Sequence, residues 1–245
     1  MTKKIHAEVN ISDSAFIDDM TIIGKGVTLE DDVYISNGVK IYGKTTIKKN
    51  TYIGENSIIG HPQRKELNWI VKNKKSPMEF EGPEVIIGEN CTIRAGATIY
   101  AEVQMGDNCQ TGHNVMIREK TSIGEDSLVG TNCIIDGAVK IGSNVSIQTG
   151  VYIPLYCKIE DNVFLGPYSK LTNDKYVMRK RYDLNGPTLE EYVSLGANSV
   201  IMPGITIKRN SVVGAGAVVT KNTEENDIVV GVPAKRLKKV PDDWK

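Results

Sequence analysis

The sequence predicts an all-β chain, a parallel β-solenoid with two loop insertions and a short C-terminal cap. Three observations predict it. Aliphatic residues recur every sixth position, through Ile5, Ile11, Ile17, Ile23, Leu29 and Ile35 to Ile59, from Ile87 to Leu171, and from Leu189 to Val219. The fifth position of each block is usually small or branched, as at Ala15, Val27, Cys91, Ala97, Val115 and Val139. Glycine and asparagine gather near the block ends, where corners require φ > 0. A helix repeats every 3.6 residues and a half-buried strand every two. A period of six held over this length is an internal repeat of another kind. Each block reads as a short strand plus a turn, and three blocks close a triangular coil. Parallel strands of successive coils then stack about 4.8 Å apart, with the aliphatic first slot pointing inward.

Taken in order, the solenoid spans residues 1–221, with insertions near 60–86 and 173–188. The first break comes at Gly60-His61-Pro62 and holds Arg64, Lys65, Trp69, Lys72, Lys74, Lys75, Pro77 and Pro83. It shows no evident secondary element. A connection this long is usually functional or disordered, and solenoid insertions tend to collect over a binding face. In the central run one block opens with a polar residue, Thr111, and that block also carries His113. The second break begins at Thr172-Asn173-Asp174, passes through Arg179-Lys180-Arg181, and ends in the turn signal Asn185-Gly186-Pro187. The stretch 222–245 leaves the period. It is expected to cap the open end, because an uncovered last coil exposes unpaired strand edges.

Bulk properties narrow the function. Thirty Lys plus Arg balance thirty Asp plus Glu, so net charge points to neither nucleic acid nor membrane. Met1-Thr2-Lys3-Lys4 runs straight into the repeat, with no apolar signal core and no long apolar span, so a soluble cytoplasmic protein is expected. Cys91, Cys109, Cys133 and Cys157 all occupy fifth slots and read as free, buried, reduced thiols. No CxxC pair or Cys/His spacing suggests zinc, and no metal is expected. No Gly-rich phosphate loop precedes the solenoid, so no nucleotidyltransferase domain is expected.

The whole chain resembles the hexapeptide-repeat acyltransferases. That resemblance implies a left-handed β-helix, although the general rule for parallel crossovers is right-handed. It also implies a homotrimer with active sites between neighbouring subunits. Two likenesses sharpen it. Gly60-His61-Pro62-Gln63 and Thr111-Gly112-His113-Asn114 resemble the UDP-N-acetylglucosamine O-acyltransferases of lipid A synthesis, whose catalytic histidine takes the same third slot. Phe164-Leu165-Gly166-Pro167, Thr172-Asn173-Asp174-Lys175-Tyr176 and the run from Ser194 to Lys221 are similar to N-acetyltransferases acting on nucleotide-linked 3-amino sugars. The second likeness covers more of the C-terminal half and implies acetyl-CoA as co-substrate.

Acyl transfer from a thioester needs a base for the acceptor amine, a donor for the oxyanion and an aligned acyl carrier. His113 is the expected base, since an imidazole can take a proton near neutral pH; the alternative is a solvated surface histidine. Asn114 either binds the sugar or simply turns a corner. One coil at a time from His113, and allowing for the second insertion, the same slot holds Thr131, Thr149, Pro167, Ala197 and Ala215, and the slot before holds Gly112, Gly130, Gln148, Gly166, Gly196 and Gly214. This column of small residues, with Gly216, is expected to form a groove for pantetheine. The Thr131 amide is the candidate oxyanion donor. The alternative is that the glycines only serve the corners. At the far end, Lys235, Arg236, Lys238 and Lys239 are expected to meet coenzyme A phosphates, or to form a solvated basic tail. Arg64 on the first insertion, and Asn173, Asp174 and Arg179-Lys180-Arg181 on the second, are expected at the nucleotide-sugar.

Three readings compete. A γ-class carbonic anhydrase needs converging histidines, and His6, His61 and His113 lie too many coils apart. A UDP-sugar O-acyltransferase would take its acyl group from acyl carrier protein. A non-enzymatic structural solenoid would favour a flat Thr or Ser face and short corners. The sequence favours N-acetyl transfer to the amine of a dTDP- or UDP-linked amino sugar, with the 3-amine as the expected acceptor.

Overall fold

The computed structural model describes residues 3–244. Met1 and Thr2 of the opening run, and Lys245 of the tail, lie outside the described residues. The period of six resolves into strands of two to four residues, such as Tyr34–Ile35, Lys40–Ile41 and Thr45–Ile47. From Phe16–Ile17 onward, in the two-residue strands the first side chain is the more exposed and the second is the buried first slot, whereas Ile5 is exposed and Ile11 half-buried in the first coil. Ile23, Ile35, Ile41, Ile53, Ile87 and Ile99 are fully buried. The chain is all-β in its core, a parallel hexapeptide solenoid of the left-handed β-helix class, and it divides into two compact units, Met1–Asp126 and Ser127–Lys245.

In the first unit, strands pair with others a coil away. Lys4–Ile5 pairs with Ile22–Ile23, Asn10–Ile11 with Thr28–Leu29, and Phe16–Ile17 with Tyr34–Ile35, all parallel and in register. Each face therefore carries its own inward aliphatic ladder. The corner is made by the fourth slot, which takes the left-handed conformation at Asn50, Asn90 and Asn108 with φ of 55 to 58°. Asparagine tolerates that region because its short polar side chain bonds locally. These side chains also bond to one another. Asn50 Nδ2 donates to Asn90 at 3.3 Å, Asn90 to Asn108 at 3.3 Å, and Asn108 to Asp126 at 3.1 Å.

The second-slot glycines have a different cause from the one the sequence suggests. Gly88, Gly106, Gly130, Gly166 and Gly196 do not adopt positive φ. They are glycine because the next coil runs against them: a Cβ on Gly88 would lie 2.4 Å from Gly106 C, and one on Gly54 would lie 2.6 Å from Ala95 N. Side chains are excluded there by packing rather than by the turn.

The first insertion is not without secondary structure. It holds a helix, α1 (Arg64–Asn73), and a 3-10 turn at Pro77–Glu79. Ile70 is the buried residue of α1, while Leu67, Trp69 and Val71 are exposed. So thin an apolar face, among lysines and without a side-chain N-cap, gives little periodic signal. After the turn the chain straps back over earlier coils. Met78 O accepts the Lys25 amide at 2.8 Å. Phe80 is 3% exposed and closes against Gly43, where a Cβ would meet its ring at 3.3 Å. Lys25 Nζ reaches Glu81 at 2.5 Å and Glu8 at 3.3 Å, and His6 Nε2 reaches Glu79 at 3.5 Å.

In the second unit the same rules hold. Lys140–Ile141 pairs with Lys158–Ile159, Ser146–Ile147 with Phe164–Leu165, and Ser194–Leu195 with Val212–Val213. The tail does not leave the sheet at once. Asp227–Val230 adds a parallel strand, Val212 against Ile228 and Val213 against Val229, before Lys235–Lys239 folds back antiparallel. Residues 222–226 make a shortened corner, which throws Ile228 and Val229 out of the six-residue phase. Buried Ser211 ties that corner down, donating to Glu224 O at 2.9 Å and accepting the Asp227 amide at 3.3 Å.

Candidate active site

In the first unit, the block that breaks the inward rule organises its corner. Thr111 is fully buried in an aliphatic ladder. A buried hydroxyl is costly unless bonded, and Thr111 Oγ1 accepts the Arg94 amide at 3.0 Å. In neighbouring coils of this corner the second-slot amide bonds a carbonyl instead, as Ser36 N does to Ile53 O at 2.9 Å and Gly54 N to Ile93 O at 2.7 Å. With the hydroxyl in that role, the Thr111 carbonyl accepts Arg94 Nη1 at 2.7 Å. Thr92 stays in register with Gln110. Two residues on, His113 and Asn114 are exposed at the corner. Asn114 holds φ of 55° and is the corner residue; its Oδ1 lies where a Cβ on Gly96 would come within 2.3 Å.

The second unit carries the rest of the predicted column. Flanking amides are all used: Gly130 N to Ile147 O at 2.7 Å, Gly166 N to Leu195 O at 2.8 Å, Tyr168 N to Thr149 O at 2.9 Å, Asn198 N to Pro167 O at 2.9 Å, and Gly216 N to Ala197 O at 2.8 Å. Three of the third-slot amides are not. Among the described residues, those of Thr149, Ala197 and Ala215 donate to no acceptor within the chain, and Pro167 has none to give. Thr131 is half-buried, and its carbonyl accepts Gly150 N at 2.9 Å. Gly216 sits at φ of 68° with open space beside it. The corner is thus a row of small residues presenting unused N–H donors.

Comparison with known proteins follows this geometry. Residues 84–119 and 186–221 match the bacterial transferase hexapeptide family (six repeats), and residues 120–154 match the hexapeptide repeat of succinyl-transferase. Those three stretches of the chain are hexapeptide repeats. Over 90 residues the chain is 34% identical to the galactoside O-acetyltransferase of Escherichia coli, covering 34% of this chain and 44% of that protein. Over 57 residues it is 42% identical to a 2,3,4,5-tetrahydropyridine-2,6-dicarboxylate N-acetyltransferase of Clostridium perfringens, covering 23% and 24%. The matches span less than half the length of these relatives. In fold it is similar to UDP-N-acetylglucosamine O-acyltransferase from Moraxella catarrhalis, with a TM-score of 0.54 and 18% identity over 99% of this chain and 75% of that one.

The other predicted residues lie apart from that corner or at its ends. Arg64 opens α1 and is exposed. Asn173 donates to Leu155 O at 3.3 Å. Asp174 is occupied in building its own loop, accepting the Tyr176 and Met178 amides at 2.9 Å each. Arg179, Lys180 and Arg181 are exposed, and the Lys180 ammonium lies 5.2 Å from the Tyr176 ring centre. At the C-terminal end, Thr220, Lys221, Ala234, Lys235 and Arg236 line a cleft of about 310 Å³. Asp227, nearly buried, pairs there with Arg236 at 3.1 Å and Lys239 at 2.9 Å, which leaves Lys235 the freer cation. Among the described residues no group of three or more His, Cys, Asp or Glu side chains is placed to hold a metal ion, and no helix is long and apolar enough to cross a membrane. The cysteines are free and buried, and burial pushes the Cys157 and Cys133 thiols up. Sequence reasoning missed Arg94. Its signal was present: an arginine in a slot that is glycine at Gly54, Gly112, Gly130, Gly166, Gly196 and Gly214.

Proposed function

We propose that this protein transfers an acetyl group from acetyl-CoA to the amine of a nucleotide-linked (dTDP- or UDP-) amino sugar, most readily the 3-amine. The observation that carries the reading is the row of unengaged amides at Thr149, Ala197 and Ala215. An extended pantetheine arm has alternating amides of its own and can pair with such a row as a strand pairs with a sheet edge. The cleft beside Lys235 and Arg236 suits the phosphates of the carrier. Matches to both an O- and an N-acetyltransferase support acetyl transfer and leave the acceptor to chemistry.

In the proposed step the acceptor nitrogen attacks the thioester carbonyl. The C–N bond forms first, giving a tetrahedral oxyanion that a backbone N–H meets, and the C–S bond then breaks as the amine proton passes by way of His113 to the departing thiolate. The working assembly is a homotrimer, and the setting is the cytoplasm.

The test is thiol release from acetyl-CoA with a panel of dTDP- and UDP-linked 3-amino and 4-amino sugars, on wild type and His113→Asn. Turnover with one amino sugar, lowered about 10²–10⁴-fold in the variant, is the expected result. Release only with a hydroxyl acceptor and an acyl carrier protein donor would replace this reading with O-acyl transfer.

A further inference from the structure

We propose that Arg94 binds an anionic group of the acyl acceptor, either the diphosphate of its nucleotide or a carboxylate on its sugar, and that Thr111 is the positioning residue for that contact. The inference rests on the acyl-acceptor reading of the His113 corner.

A guanidinium carries five N–H donors in a flat fork. Arg94 gives one of its side-chain donors to the Thr111 carbonyl. Among the described residues it meets no carboxylate, although it is half-buried. A tie that only braced the coil would need no charge, and the neighbouring coils of this corner are braced by backbone bonds without any such side chain. Small Ala95 and Gly96 follow it, so the corner beside the fork is not filled by a bulky side chain. A half-buried cation with open donors, one coil before His113 on the same corner, is arranged to accept a two-oxygen anion side-on.

Thr111 explains how the fork is aimed. A valine or isoleucine there would suit the ladder better. Its carbonyl would then take the Arg94 amide, as carbonyls do in neighbouring coils, and the guanidinium would lose its anchor. The single polar residue in the inward ladder is thus spent on aiming one arginine toward the histidine block.

The experiment is calorimetric binding of dTDP, UDP and glucuronate to wild type, Arg94→Ala, Arg94→Lys and Thr111→Val, followed by steady-state kinetics with the active amino sugar. Wild type binds at least one of these anions. Arg94→Ala weakens that binding about tenfold or more; Arg94→Lys recovers part of it, and Thr111→Val weakens it with no loss of Tm. In kinetics, KM for the acceptor rises while KM for acetyl-CoA holds. The nucleotides and glucuronate separate the diphosphate from the carboxylate source. Unchanged affinity in both Arg94→Ala and Thr111→Val overturns the proposal, as does a wild type that binds none of the three. Because binding is read without turnover, failure of N-acetyl transfer and failure of the anion site are distinguishable.

Discussion

A methyl group on Gly196 would sit 2.4 Å from the Ala215 amide nitrogen, whereas one on Gly216 would meet nothing within 4 Å. The two glycines therefore fail differently. Gly216 has φ of 68° and asparagine is at home there, so Gly216→Asn should leave the denaturant midpoint nearly unchanged. Gly196→Asn must push the next coil away and should cost about 1–3 kcal/mol in the same measurement. Equal losses would contradict the division of labour between second and fourth slots. On the corner surface, Ala197→Trp or Ala215→Trp should raise KM for acetyl-CoA in the thiol-release assay and leave kcat nearly unchanged; unaltered kinetics would remove the groove. At this scale the sequence was readable where a residue type repeats, and less so where it occurs once. The aliphatic first slots and the corner asparagines announced themselves by position. Arg94 did not, because its meaning depends on a bond to Thr111 that spacing does not express.

Among the elements, the strap from Pro77 to Gly82 shows how an insertion is fastened to a repeat. Hydrogen bonding from Lys25 holds the Glu81 carboxyl below its ordinary range, and donating that bond to Glu81 raises the Lys25 ammonium. For a carboxyl depressed by folding, the contribution is present above its unfolded pKa of about 4.3 and is lost as pH falls through the lower folded value. For the raised ammonium it is present below about 10.4 and lost as pH climbs through the higher folded value. A carbon-13 NMR titration checks this. Glu81 should return to the ordinary carboxylate range in Lys25→Met, and an unmoved midpoint would deny the tie. The solenoid strands were legible because each repeats its neighbour's pattern. Helix α1 was not, since one buried isoleucine among lysines carries almost no period. The strand Asp227–Val230 was also hidden, because the shortened corner before it breaks the register.

For the whole molecule, two measurements follow from the reading above. A homotrimer of 26.9 kDa chains should sediment as one species of three times that mass; a monomer would remove the shared site. The four thiols should resist alkylation at pH 8 until the protein unfolds. Burial raises the pKa of Cys133 and Cys157, and hydrogen bonding with Cys109 is the first cause at Cys91. Prompt labelling of native protein would show that the ladders open. Folding class followed from the sequence because a solenoid is built from near neighbours in space that are eighteen residues apart in the chain, a distance that periodicity reads directly.

The unused amides at Thr149, Ala197 and Ala215 recur at coil spacing, about 4.8 Å for each coil, with Pro167 standing between them as a blank mark. A corner of that kind is a graduated scale. Whatever arm lies along it is sorted by reach, and the smallest change of reach the fold permits is one coil. Excising a single eighteen-residue coil from this stretch would leave every remaining ladder rung intact and shorten the scale by one graduation. Donors would then be re-sorted by length alone, with no contact residue altered.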